Sequence, residues 1–231
     1  TVALKAAETY RMTLTSQYPA RWYLFGASCV PAQINAACAK SGIGGDLVST
    51  TTASKIIKPS ADGTYTIAID ARSTQWFGDF SLSIETFTPP TNGVCASPSA
   101  ITLLPAGQTT TIKGDTTGAA NEFGNAITCG VWGGVFDGPQ LYYTLKLQAT
   151  RTYTFAFHPA YSRGRLYLAR AKCDGQAINT DCASQGKDGF VLTPSLFQPS
   201  PTTTFKPAAD GTYLMVVDST DASGAFTVDI K

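Results

Sequence analysis

The chain has few charges and a single histidine, and these two shortages exclude several functions. Charged residues make up 14% of the 231 residues, against roughly 25% in an average globular protein. The formal net charge is +1 and no basic block occurs, which argues against nucleic acid and anionic membranes as partners. No apolar run reaches the ~18 residues that a membrane-spanning helix needs.

The motifs of common catalytic sites are also missing. A single histidine, His158, excludes the H-E-x-x-H zinc motif, and the sequence has no G-x-S-x-G motif. A catalytic triad needs a base and an orienting carboxylate, yet the position equivalent to His158 in the internal repeat described below is Thr15. We therefore predict that His158 is structural and that the chain is not an enzyme. Paired carboxylates of the glycosidase kind remain open, although most acidic residues lie in predicted turns, where aspartate usually caps backbone amides.

What the sequence does contain is an internal duplication. The stretch ADGTYTIAID at 61–70 returns as ADGTYLMVVD at 209–218, and each copy continues into a glycine-containing loop and a closing strand. Apolar residues alternate along these strands, and a period of two is typical of a strand with one buried face. Asp-Gly suits the tight turn before each strand. Residues 1–15 match residues 144–158 without a gap, so the repeated unit is a whole domain.

The pattern predicts an all-β chain of two tandem antiparallel β-sandwich domains of jelly-roll-like form. Glycine and proline recur throughout, and no helical apolar stripe lasts three turns, which favours many short strands joined by turns and long polar loops at 30–52 and 174–202. We place the first domain at residues 1–87, a proline-rich linker at 88–93 and the second domain at 94–231. The second domain contains predicted strands near 100–104 and 109–113, in a segment that has no counterpart in the first domain.

The first domain is therefore predicted to lack its N-terminal strands. Unpaired strand edges and exposed core faces are costly, so we expect strands from outside this chain to complete it. The donor is either an upstream piece of a longer precursor or a neighbouring molecule in a filament. Because the chain opens on Thr1 rather than methionine, we interpret it as a mature or excised segment. The alternative is a smaller first domain whose strands close on themselves.

Six cysteines occur, and their arrangement predicts disulfides in an oxidising compartment. Two pairs share the same spacing in the two repeats and a third pair remains, which gives the predicted bonds Cys29–Cys38, Cys173–Cys182 and Cys95–Cys129. Zinc is the weaker alternative, since neither C-x2-C spacing nor neighbouring histidines occur.

The two copies resemble a known family. The pattern YTFAF…RLYLARA…TTTFKPAADGTYLMVVD…GAFTVDI at 153–230, with its first copy at 10–84, is similar to the bacterial pre-peptidase C-terminal domain. Its cysteine-bearing form is similar to repeats in large surface proteins of myxobacteria. The resemblance implies a secreted sandwich, often in tandem, that flanks proteases and other exported proteins. Some members bind calcium or matrix polymers, but Arg163, Gly164, Arg165 and Gln140 stand where acidic residues are common in the family.

Two sets of side chains are candidates for binding a ligand. Trp76 and Trp132 lie in predicted loops, where an indole ring can stack on a sugar or fill a neighbouring surface; the alternative is that each packs under its own loop. Calcium is the one cofactor for which the sequence offers ligands, because it binds six to eight oxygens. The candidate calcium ligands lie in turns or at strand ends and are Asp70, Asp115, Asn121, Glu122 and Asp218.

These observations favour a non-catalytic, secreted or cell-surface module for adhesion or extracellular assembly. Its expected partners are other protein chains or an upstream part of the same precursor. The alternative function is a polymer- or carbohydrate-binding accessory region of a secreted hydrolase or protease, with an extracellular polysaccharide as the partner.

Overall fold

A computed structural model describes residues 1–26, 30–32, 44–48, 52–71, 73–123, 126–130, 136–170, 172–184, 186, 188–195, 197–220 and 222–231. The chain divides into two compact units, Thr1–Thr88 (unit 1) and Pro89–Lys231 (unit 2). Both are built from β-sheets, so the predicted all-β class is confirmed. Among these residues, no helix has the length and apolar character needed to cross a bilayer.

The described part of unit 1 forms two sheets over one core. Its strands are β1 (Val2–Leu4), β2 (Tyr10–Ser16), β3 (Ala20–Gly26), β4 (Gly44–Val48), β5 (Thr52–Ile57), β6 (Gly63–Ala71) and β7 (Phe80–Thr86). The strand orders are β1-β6-β3-β4 and β5-β2-β7. Alternation places Met12 and Leu14 of β2 and Trp22 of β3 in the buried layer between the sheets.

The described part of unit 2 has the same arrangement with one further strand on each sheet. Its strands are β8 (Ser99–Ile101), β9 (Thr110–Asp115), β10 (Leu141–Leu147), β11 (Tyr153–Pro159), β12 (Gly164–Arg170), β13 (Phe190–Leu192), β14 (Thr202–Phe205), β15 (Gly211–Ser219) and β16 (Ala225–Ile230). The strand orders are β13-β12-β15-β10-β8 and β14-β11-β16-β9. The additional strands β8 and β9 lie close to the positions predicted for them.

Unit 2 buries apolar side chains on both faces of its larger sheet. One face meets Phe155 and Phe157 of β11 in the core between the sheets. The other face, which includes Tyr167 and Val216, is covered by a second cluster containing Phe136 and Ile178. Because β15 is covered on both sides, it is apolar almost throughout, whereas strands covered on one side alternate.

A short helix, α1 (Gly175–Ala183), lies where the sequence indicated only a polar loop. The Asp174 carboxylate accepts a hydrogen bond from the backbone amide of Ala177 at 2.7 Å and so caps the first turn. Ile178 and Cys182, one helical turn apart, are the buried residues of the helix. An apolar stripe of two residues is too short to stand out as a periodic pattern.

The predicted cysteine pairing in unit 2 is wrong. The structure contains Cys95–Cys173 and Cys129–Cys182 in place of Cys173–Cys182 and Cys95–Cys129. The helix is the physical reason: the rise from Asp174 to Cys182 is about 12 Å, whereas a disulfide needs Cα atoms within about 7 Å. Each bond instead joins the helical segment to the segment that precedes β10. The predicted Cys29–Cys38 bond lies outside the described residues.

The end of the predicted linker belongs to unit 2. Asn92 is buried, and its carbonyl accepts a hydrogen bond from the Tyr142 amide at 2.9 Å. The Asn92 side-chain amide donates to the Tyr142 carbonyl at 3.1 Å. This exchange of hydrogen bonds fixes the segment before β8 against β10.

Candidate functional site

One side of unit 1 exposes apolar side chains of the kind that a sandwich normally buries. Phe80 on β7 is 51% exposed. Four neighbours on the same faces of β6 and β7 are only half-buried, although they pack against the core of unit 1. We call this set the open side of unit 1; it consists of Ile67, Ile69, Phe80, Leu82 and Ile84. An exposed apolar patch of this kind is typical of an interaction surface.

The equivalent side of unit 2 is closed. Phe226, the counterpart of Phe80, is 4% exposed, and the counterparts of the other four residues are buried as well: Met215, Val217, Val228 and Ile230. Strand β9 pairs with β16 on this side, with Ile112 opposite Val228 and Gly114 opposite Phe226. The Tyr143 ring of β10 meets the Phe226 ring edge-on, with 6.4 Å between centroids. All of these covering residues come from the segment that the first repeat lacks.

Gly114 makes room for the ring that β9 covers. A Cβ atom at this position would lie 2.5 Å from Cζ of Phe226 and 2.8 Å from the Tyr143 hydroxyl oxygen, so a side chain here would force these rings to shift. Glycine inside a strand often marks such a close approach. We did not predict this role of Gly114 from the sequence, although a glycine between strand residues could have indicated a close approach.

Among the residues of unit 1 that the structure describes, two sheet edges beside the open side carry no paired strand. In unit 2 the sheets end in β8, which pairs in parallel with β10, and in β9, which pairs antiparallel with β16. In unit 1 the corresponding sheets end in β1 and β7, and β1 pairs with β6 only at Gly63, Thr64 and Tyr65. The outer edge of β7 and the later part of β6 therefore offer backbone groups to an added strand.

Exposed aromatic rings continue from this side into the loop before β7. Trp76 is 39% exposed and Phe77 is 86% exposed. The Trp76 amide donates to the Ser73 carbonyl at 3.0 Å, which fixes a turn in the loop. Trp76 and Phe77 are thus consecutive exposed aromatic residues in the loop that leads to Phe80, and exposed aromatic rings can stack on a ligand. The other predicted ligand-binding residue, Trp132, lies outside the described residues.

The structure uses the predicted calcium ligands of unit 2 in local hydrogen bonds. The Asp115 carboxylate accepts from the Thr117 amide at 2.8 Å, and Glu122 accepts from the Cys95 amide at 2.6 Å. Asn121 donates to the Asp137 carbonyl at 3.1 Å. Within the part of the chain that the structure describes, no group of three or more histidine, cysteine, aspartate or glutamate side chains is arranged to hold a metal.

Asp70 and Asp218 occupy equivalent strand ends but differ in surroundings. Asp70 is exposed, whereas Asp218 is fully buried. The Asp218 carboxylate accepts hydrogen bonds from Gln140 Nε2 at 2.9 Å, from the Tyr167 hydroxyl at 3.0 Å and from the Ser219 amide at 2.6 Å. Because these groups are all buried, the Asp218 carboxylate offers no access to a substrate.

Burial raises the pKa of the Asp218 carboxyl from its ordinary value of 3.8 to about 7, although its three hydrogen-bond donors and the charge of Arg165 oppose this shift. Arg165 is the cross-strand partner of Asp218 in the β12–β15 pair. The raised pKa means that the folded protein binds this proton more tightly than the unfolded chain does. Unit 2 should therefore lose stability as the proton leaves.

Asp218→Asn is expected to remove a pH dependence of stability. The contribution of Asp218 is fully present below about pH 3.8, falls as the pH rises and is lost above about 7. Relative to the variant, the unmodified chain should lose on the order of 4 kcal/mol of unfolding free energy between pH 4 and pH 8. Urea unfolding of both proteins across this range measures the difference. Asp70→Asn, at the exposed equivalent, is the matched control, and a constant difference between Asp218→Asn and the unmodified chain would contradict the assignment.

His158 has a carboxylate neighbour but not the order of groups found in a triad. Its Nε2 lies 3.5 Å from Oδ2 of Asp229. The Thr111 hydroxyl donates to Oδ1 of the same carboxylate at 2.5 Å. Asp229 therefore stands between the hydroxyl and the imidazole, whereas a triad needs the imidazole between the nucleophile and the carboxylate.

Comparison with known proteins gives no family for this chain. No protein-family model and no curated protein matches it. Among solved structures it is similar to a periplasmic inhibitor of g-type lysozyme from Aeromonas hydrophila, with 12% identity, 58% of this chain and 94% of that chain covered, and a TM-score of 0.34. It is also similar to a structure of infectious bursal disease virus, Gt strain, with 10% identity, 96% of this chain and 55% of that chain covered, and a TM-score of 0.19.

Proposed function

We propose that this chain is a non-catalytic module of a secreted or cell-surface bacterial protein that works in adhesion or extracellular assembly. The open side of unit 1 carries the proposal. It combines an apolar face with two free sheet edges, and such a surface binds other protein by main-chain pairing and side-chain burial. Left bare, the same surface promotes aggregation, so a stable module needs a partner there.

The disulfides and the composition support an extracellular location. Two disulfides in unit 2 are typical of a protein that folds in an oxidising compartment. The resemblance of both repeats to pre-peptidase C-terminal domains agrees with an exported bacterial protein.

The surroundings of His158 and Asp218 favour a role without catalysis. His158 contacts Asp229 on the side where a nucleophile would be needed. Asp218, whose pKa is raised to about 7, is fully buried. Neither group combines a reactive side chain with an accessible pocket in the way that general acid–base catalysis requires.

A second candidate function is binding of an extracellular polymer. Trp76 and Phe77, exposed next to each other before β7, are the observation that favours it, because exposed aromatic rings stack on sugar rings. On this hypothesis the chain would target a hydrolase or protease to its substrate.

Immunogold labelling of the producing cells, together with sedimentation assays, separates these functions. An assembly or adhesion module should be labelled on the cell surface or on extracellular material, and the purified chain should stay in solution with chitin, cellulose or peptidoglycan. Co-sedimentation that is lost in Trp76→Ala, but not in Phe197→Ala at another exposed aromatic, would favour polymer binding. Label confined to the cell interior, or turnover of casein that His158→Asn abolishes, would contradict the proposal.

A further inference from the structure

We propose that unit 1 is the acceptor for a strand-donating segment from outside residues 1–231, which supplies the equivalents of β8, β9 and the first residues of β10. The inference rests on the proposed function and deepens it, because it identifies the chemistry of the partner. Unit 2 contains those strands itself and serves as the template for unit 1.

The two units share one strand register, so unit 2 shows what unit 1 is missing. Val2 pairs with Tyr65 in unit 1 as Leu145 pairs with Tyr213 in unit 2. These residues are equivalent in the sequence repeat. On the other sheet, Met12 pairs with Ile84 as Phe155 pairs with Ile230. The positions of β8 and β9 in unit 2 can therefore be transferred to unit 1 without a register shift.

The transfer places a donor strand beside the later part of β6. In unit 2 the counterpart of β1 is β10, which begins earlier, and its residue Tyr143 pairs with Met215 of β15. The equivalent of Met215 is Ile67, which lies beyond the stretch of β6 that β1 reaches. A donor that continues the line of β1 would pair with β6 here, and an aromatic side chain in the place of Tyr143 would cover Ile67 and Phe80.

The same transfer places a second donor strand, antiparallel, on β7. In unit 2, Gly114 faces Phe226 and Ile112 faces Val228. The donor strand therefore needs glycine opposite Phe80, since any Cβ there would strike the ring, and an apolar residue opposite Leu82. This apolar-x-glycine pattern is the specificity determinant of the partner.

A second copy of this chain is poorly suited to be the donor. Its own β8 and β9 lie between Cys95 and Cys129, and disulfides join those residues to Cys173 and Cys182 of the same unit. Lending the segment to a neighbour would require unpairing of both strands from β10 and β16 while the flanking bonds hold its ends. The occupant that fits is thus a strand pair from outside residues 1–231 with the same apolar and glycine pattern.

The test uses the full chain and a synthetic peptide of residues 97–116, which carries β8 and β9 and stands in for the donor. Hydrogen exchange followed by mass spectrometry is measured with and without saturating peptide. Amides on the outer edges of β7 and β1, the counterparts of the strands that β9 and β8 pair with in unit 2, should slow by roughly tenfold or more as they acquire partners, while β15 and β16 stay unchanged. Fluorescence anisotropy of the labelled peptide gives the dissociation constant.

Matched variants decide whether this pairing has the proposed register. The peptide with Gly114→Val should bind at least about tenfold more weakly, and Phe80→Ser in the chain should weaken binding by a similar factor; Ser81→Ala on β7, one residue away on the opposite face, should not. Equal binding of both peptides, or protection outside unit 1, would overturn the proposal. Self-association of the chain that protects β7 without peptide would show that a second copy is the occupant. If the peptide does not bind the chain but immunogold still labels the cell surface, the strand donor is refuted and the proposed function stands.

Discussion

A chain in which residues 94–143 are duplicated and fused ahead of Thr1 is expected to have a much more stable unit 1. The fused copy continues directly into Thr1, as Tyr143 continues into Thr144 in the natural unit 2. It supplies both missing strands in cis and converts the five half-exposed residues of the open side into core. Full burial of one large apolar side chain contributes about 1.5–3 kcal/mol, so the gain should be on the order of 5 kcal/mol.

Calorimetry and urea unfolding measure this gain. In the unmodified chain unit 1 should unfold before unit 2, and in the fusion the two transitions should approach each other. The control is the same fusion with Gly114→Val in the added copy, where the new Cβ would strike Phe80 and most of the gain should disappear. A fusion that leaves the first transition unchanged would mean that unit 1 is already closed.

The fusion also tests a covalent consequence of the repeat. Cys29 and Cys38 lie outside the described residues, but in sequence they are the equivalents of Cys173 and Cys182. Those residues bond to Cys95 and Cys129 rather than to each other. Peptide mapping of the fusion should therefore find Cys29 and Cys38 bonded to the added copies of Cys95 and Cys129. Recovery of a Cys29–Cys38 peptide from the fusion would instead support the pairing that spacing alone predicts.

Removal of one disulfide of unit 2 is the second large effect. The Cys129–Cys182 bond closes a loop with a sequence separation of 53, and its loss should lower the unfolding free energy by about 4 kcal/mol in the chain-entropy estimate. The bond also fixes α1 against the second cluster of unit 2, so the covering layer should loosen as well. Cys129→Ser with Cys182→Ser is the variant, and urea unfolding is the measurement.

The Cys95–Cys173 bond, with a sequence separation of 78, provides the comparison. Its removal by Cys95→Ser and Cys173→Ser should cost a similar amount. Unit 1 should unfold at the same urea concentration in both variants. If removal of either disulfide lowered the unfolding free energy by less than 1 kcal/mol, these bonds would not be what holds the segment before β10 in place.

The sequence predicts most of the strands because sandwich strands with one covered face alternate. Tyr153, Phe155 and Phe157 keep this period and are buried. The duplication likewise indicates where β8 and β9 lie, since they occupy the segment without a counterpart. By contrast, α1 escapes prediction because its buried side consists of Ile178 and Cys182 alone, which gives no lasting periodicity.

The cysteine partners and the contrast between Asp70 and Asp218 depend on tertiary structure. Their spacing in the sequence predicts that Cys173 and Cys182 bond to each other. The helix between them holds the two residues too far apart for that bond. The two aspartates end nearly identical strands, yet Asp218 is buried because Gln140 and Tyr167 stand over it. The local sequence carries no information about which loop will cover a strand end.

Hydrogen exchange of the unmodified, monomeric chain tests the central claim most directly. At a concentration where light scattering gives 24.3 kDa, the outer-edge amides of β7 should exchange at least about a hundredfold faster than the equivalent amides of β16, which β9 pairs. The amides of residues 67–71 that point away from β3 should behave like those of β7. Equal protection of β7 and β16 in the monomer would contradict an open acceptor face in unit 1.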